Sequence, residues 1–161
     1  MMRSVLPEIV GFIRGIGITL HEEAITRATL VPGIDIIGGT LRIAPEQMCQ
    51  PADVLHEAAH IALTTPELRP TLDGTIASSP AEELSAIAWT WAAAMHLRLD
   101  PAVVFHDEVI SGNGPTLLEN FSDGRYVGVP MLERWGLTTT AARAAAHGAP
   151  PYPHMLRWLR V

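Results

Sequence analysis

The 161-residue sequence predicts an α+β fold, a small antiparallel sheet packed beside a bundle of helices. Three observations lead there. An Ile- and Val-rich stretch, "LVPGIDIIGGTLRIAP" (residues 30–45), sets a Gly38-Gly39 pair between two apolar runs. Several other segments repeat apolar residues at helical spacing. No internal repeat or low-complexity linker interrupts the chain, so 1–161 reads as one domain, with residues 1–100 as its main body and 101–161 as a helical C-terminal part.

In order, residues 4–16 place Val5, Ile9, Phe12, Ile13 and Ile16 on one helical face, with Ser4 as a cap and Gly15 and Gly17 as the stop. In the stretch 30–45 the glycine pair can take the positive backbone angles of a tight turn, giving strand, turn, strand, with Leu41 and Ile43 on one face and Arg42 on the other. From Ala52 a helix runs to Thr64 or Thr65 and stops before Pro66; a Pro-, Gly-, Thr- and Ser-rich loop follows to Pro80. "SSPAEELSAIAWTWAAAMHLRLDP" is a long buried helix, Ala-rich, with Trp89 and Trp91 as core and no charge between Glu83 and Arg98. Shorter helices are expected near 102–108, 115–121, 130–135, 138–147 and 153–160, broken by "SDGRYVGVP", Gly136 and "GAPPYP".

Composition excludes several functions. Hydrophobic residues are 48% and charged residues 17% of the chain, which is enough for a core and too apolar for a disordered segment. All eleven basic residues are arginine, so lysine Schiff-base chemistry and the lysine-ended phosphate loop are absent. Cys49 is the only cysteine, which rules out an internal disulfide and a multi-cysteine metal site. The net charge of −6 argues against general nucleic-acid binding. From Arg125 onward, however, five arginines face a single acid, Glu133. That arginine-bearing part either lies on the acidic body or docks an acidic partner. The N-terminal apolar segment is interrupted by Glu8 and Arg14 and lacks a small-residue cleavage site, and no run has the ~18 apolar residues of a membrane span. A cytoplasmic protein is expected.

The chemistry centres on "VLHEAAHIAL", residues 54–63, an HExxH pattern that chance gives in roughly one such sequence in fifty. On a helix His56 and His60 lie one turn apart on the same face and can aim two imidazoles at one zinc ion. Glu57, turned about 100° from His56, can reach a water molecule rather than the ion, and serve as catalytic acid and base. The bland alternative is two satisfied histidines on a partly buried helix, which gains little from context because burying two imidazoles and a carboxylate without partners is costly. A third ligand is needed. Glu82 and Glu83 open the next helix; Ser79 to Glu82 ("SPAE") has the form of a capping box, which gives Glu82 a local task and favours Glu83. Glu82 remains the alternative, and Asp73 in "TLDGT" the outside candidate.

The order of a helix, a glycine-bearing hairpin, the "HEAAH" helix and a helix opening with glutamate resembles the ImmA/IrrE family of zinc metallopeptidases, which are zincin-like. "LPEIVGFIRGIGITL" is similar to that family's opening helix and first strand, "GIDIIGGTLRIAP" to its hairpin, and Glu83 with Ala86 and Trp89 to its glutamate, small residue and aromatic. The likeness covers residues 5 to 100. It implies a zincin-like fold, His56, His60 and Glu83 as zinc ligands, Glu57 as catalytic acid/base, and cleavage of a protein or peptide substrate, often a regulatory protein. Ala59 stands where the family usually has glycine, and "ADVL" where it has a threonine-containing approach.

Two further groups are candidates for steadying an oxyanion or orienting a ligand: Tyr126, with Arg125 beside it in "DGRYVG", and His106 in "VVFHDE". The structural alternative sets Tyr126 on Trp135 and makes His106 an ordinary helix histidine. The expected function is zinc-dependent peptide hydrolysis. A non-catalytic binding module on the same fold and a small-amide hydrolase are the alternatives.

Overall fold

The computed structural model describes residues 4–74, 78–106 and 114–161. It is a mixed α+β structure with two compact units, Met1–Ala77 together with Val161, and Ser78–Arg160.

In the first unit, helix α1 (Leu6–Gly15) buries Ile9 and Ile13 of the predicted apolar face, together with Val10. Val5 rather than Ser4 occupies the cap position, and no side chain caps the helix there. Pro7 lies in the first turn, where its missing N–H costs nothing. Strands β1 (Leu20–Glu22), β2 (Ile34–Ile37) and β3 (Thr40–Ile43) form a sheet in the order β1-β3-β2. Gly38 and Gly39 both have positive φ, +59° and +75°, which closes the predicted two-residue hairpin with Ile36 opposite Leu41. Gly39 has a second constraint: a Cβ there would meet the Arg69 carbonyl oxygen at 2.4 Å. Leu41 and Ile43 are fully buried.

The sheet is mixed, which corrects the expected antiparallel one. β1 pairs parallel with β3, Leu20 opposite Leu41. A parallel neighbour needs a long connection, and residues 23–39, which contain β2, supply it. The outer edge of β2 is covered too, because Gly39 N–H donates to the Leu72 carbonyl and Gly74 N–H to that of Ile36. On β2, the buried Asp35 accepts both arms of Arg27, at 2.7 and 2.9 Å. Those hydrogen bonds hold its carboxyl below the usual range. Helix α2 (Asp53–Ala62) packs on α1 and β3.

In the second unit, helix α3 (Pro80–His96) is the centre. Trp89 is fully buried, its indole N–H donating to the Trp158 carbonyl at 3.0 Å. Trp91 stacks with Phe105 and Phe121. Both tryptophans are core, as expected. α4 (Pro101–Val104), α5 (Gly114–Ser122) and α6 (Val129–Arg134) pack on α3, and α7 (Ala144–His147) follows them in the chain. α6 approaches α3 closely at Gly128, φ +82°, where a Cβ would meet the Leu84 carbonyl oxygen at 2.2 Å. The helix expected at 102–108 extends past Val104 only as a turn, and 107–108 lie outside the described residues.

Two C-terminal expectations fail. Of 138–147 only Ala144–His147 is helical, and 153–160 is not a helix. Their backbone groups bond each other instead of closing i to i−4 rings. Tyr152 N–H donates to Thr139 O, Leu156 N–H to Leu137 O, and Thr138 pairs with Met155 as an antiparallel bridge. Pro150, Pro151 and Pro153 favour this extended course. Among the described residues no helix is long and apolar enough to cross a membrane.

Candidate metal centre

α2 has no side-chain cap at its start, and burial holds it in place. Val54, Leu55, Ala58, Ala59, Ile61 and Ala62 are all buried, and the three alanines have no exposed surface at all. At the other end the Arg69 guanidinium donates to the carbonyls of Ile61 and Ala62, at 3.2 and 3.4 Å, two of the acceptors every helix leaves open. The helix is therefore fixed in rotation, and its HExxH residues with it.

His56 is buried and His60 half-buried, and their Nε2 atoms lie 3.3 Å apart. The rings meet edge to face, with centroids 4.9 Å apart and planes at 85°. Two nitrogens held tetrahedrally at about 2.0–2.1 Å from one zinc ion stand ~3.3 Å apart, so the imidazoles already have the spacing such an ion needs. Without an ion, one ring must donate while the other accepts. Glu83, half-buried in the first turn of α3, completes the group: one possible ligand atom from each of His56, His60 and Glu83 lies within 4.8 Å of the others. Two imidazole nitrogens and a carboxylate oxygen form a donor set that can hold a metal ion. His60 also stands in the last turn of α2, where the partial negative charge of a helix end favours a cation.

The two adjacent glutamates do different things. Glu82 accepts from the Ser79 backbone N–H at 2.9 Å while its own N–H donates to Ser79 Oγ at 3.2 Å, the capping box that "SPAE" predicts. Glu83 instead accepts from the Ser78 hydroxyl at 3.1 Å and belongs to the three-residue group. Asp73 is engaged elsewhere, paired with Arg27 at 3.0 Å. Glu57 is half-buried on α2, next in sequence to His56.

Tyr126 packs on Tyr152, centroids 4.7 Å apart, and on Phe121, whereas Trp135 carries the Arg160 guanidinium on its ring. The expected Tyr126–Trp135 packing is replaced because the extended C-terminal segment delivers Tyr152 to that place. Tyr152 donates to the Ala88 carbonyl at 2.8 Å, and burial raises its hydroxyl pKa well above the ordinary value. Arg125 is exposed and pairs with Asp123 and Asn120. His106 follows Phe105 of the aromatic cluster and is half-buried.

Sequence patterns alone do not single out Ser78 or Arg69. The signal for Ser78 lies in the doubling of serine ahead of the doubled glutamate in "SSPAEE". No protein-family model, curated protein or solved structure matches this chain.

Proposed function

We propose that the chain is a zincin-like, zinc-dependent metallopeptidase that hydrolyses peptide bonds in a protein substrate, a regulatory protein in keeping with its resemblance to the ImmA/IrrE family. The observation that carries this reading is the convergence of His56 and His60 Nε2 at 3.3 Å with a Glu83 oxygen in the same group. His56, His60 and Glu83 hold the ion, and their mixed nitrogen and oxygen donors suit zinc. A bound zinc ion supplies Lewis acidity, which lowers the pKa of water to near neutrality and polarises a carbonyl. Glu57 takes a proton from the attacking water and delivers it to the leaving amine, so that no charged amine anion has to depart. Three side-chain ligands would be the number that hydrolytic zinc sites take from the protein.

The reading is tested with purified protein and two variants. Wild type should bind one zinc per chain by elemental analysis, and His60→Ala should lose stoichiometric metal. Glu57→Gln should keep the zinc and lower any peptide hydrolysis by about two to four orders of magnitude. Stoichiometric zinc in His60→Ala would remove the site. Zinc binding with no hydrolysis of unfolded polypeptides by wild type would favour the non-catalytic binding module, and cleavage of small amides alone would favour a small-amide hydrolase.

A further inference from the structure

We infer that Ser78 is a positioning residue for the metal site, and that the "SSPAEE" segment sorts its two glutamates between two tasks by giving each its own serine. The inference rests on the proposed metal site. Ser79 and Glu82 bind each other reciprocally at the helix start. One residue earlier, the Ser78 hydroxyl donates to Glu83 Oε2 at 3.1 Å. Glu83 N–H donates to the Ser79 carbonyl at 2.9 Å, so its backbone is fixed inside the first turn while its carboxylate is turned by Ser78.

The physical consequence concerns a flexible ligand. Glutamate has three side-chain torsions, and a carboxylate that must reach an ion gains affinity when it is oriented beforehand. A hydroxyl bonded to a carboxylate oxygen restricts the orientations in which that carboxylate can meet a cation. Carboxylate ligands are commonly held in this way, and loss of such a partner typically lowers metal affinity about 10–100-fold. Ser79 Oγ is engaged at the helix start instead, where it accepts from the Glu82 N–H while the Glu82 carboxylate takes the Ser79 N–H. The two serines are therefore not interchangeable.

The test measures Zn2+ affinity by competition with a chromophoric chelator, together with the visible spectrum of the Co2+-loaded protein, for wild type, Ser78→Ala, Ser78→Thr and His60→Ala. Ser78→Ala should bind Zn2+ about 10–100-fold more weakly and shift the Co2+ absorption bands, with the melting temperature of the metal-free protein unchanged. Ser78→Thr, which keeps the hydroxyl, should restore both affinity and spectrum. Wild-type affinity in Ser78→Ala, or equal losses in the alanine and threonine variants, would overturn the positioning role while leaving the site intact, provided His60→Ala has lost the metal. Retained metal in His60→Ala would overturn both.

Discussion

The two helices that carry the proposed ligands are held by opposite means. α2 starts without a side-chain cap and owes its place to packing: all but two of its ten residues are buried, and its histidines project from its middle and last turn. α3 begins with three exposed residues and a half-buried glutamate, tied by serine hydrogen bonds, and only afterwards enters the core. A ligand in the middle of a packed helix is oriented by every neighbour of that helix. A ligand in a first turn is oriented by a few local bonds. Changes in the core should therefore act on α2 and on the body of α3, and changes at the cap should act on the start of α3 alone.

The largest effect expected tests the body of α3. Trp89→Ala empties a fully buried site and removes the indole N–H that donates to the Trp158 carbonyl. Urea unfolding followed by circular dichroism should show a loss of about 3–5 kcal/mol. A loss below about 1 kcal/mol would mean that α3 relies on its cap after all, and the contrast between the helices would disappear.

A smaller effect is expected within α2. Ala59 has no exposed surface, so Ala59→Leu forces a branched side chain into filled space, at about 1–3 kcal/mol. Because the overpacking falls between His56 and His60, the same variant should bind Zn2+ more weakly by chelator competition than wild type. Unchanged stability would show that the helix can shift away from its neighbours, and that packing does not fix the histidines.

These differences also explain what could be read in the sequence. The i, i+4 histidines, the Gly38-Gly39 turn and the Ser79–Glu82 box are local patterns, and each appears where its spacing places it. The parallel pairing of β1 is not local. Leu20–Glu22 is three residues long with two exposed polar side chains, so its sequence gives no sign of the partner or of its direction. The short apolar pattern of 153–160 predicts a helix, but Leu137 and Thr138 take up its backbone groups from elsewhere in the chain. Within the candidate site, spacing identifies His56 and His60, and capping logic separates Glu82 from Glu83. Bringing Glu83 within 4.8 Å of the imidazoles is a property of tertiary structure, invisible to spacing.

The smallest expected effect lies at the start of α3 and sharpens the contrast most. Ser79→Ala removes the acceptor of the Glu82 N–H but leaves the Ser79 backbone N–H free to donate to the Glu82 carboxylate, so half of the box survives. The expected loss is about 1 kcal/mol. Ser79→Asp, which offers an acceptor at the same place beside the positive end of the helix, should recover most of it. Combining Ser79→Ala with Ser78→Ala then asks whether the adjacent serines act independently. If they do, the stability loss of the double variant equals that of Ser79→Ala within about 0.3–0.5 kcal/mol, because Ser78 acts on the carboxylate of Glu83 and not on the helix. A double loss well beyond that sum would mean that Ser78 and Glu83 form a second cap, and that the first turn of α3 is built for helix stability rather than for aiming a ligand.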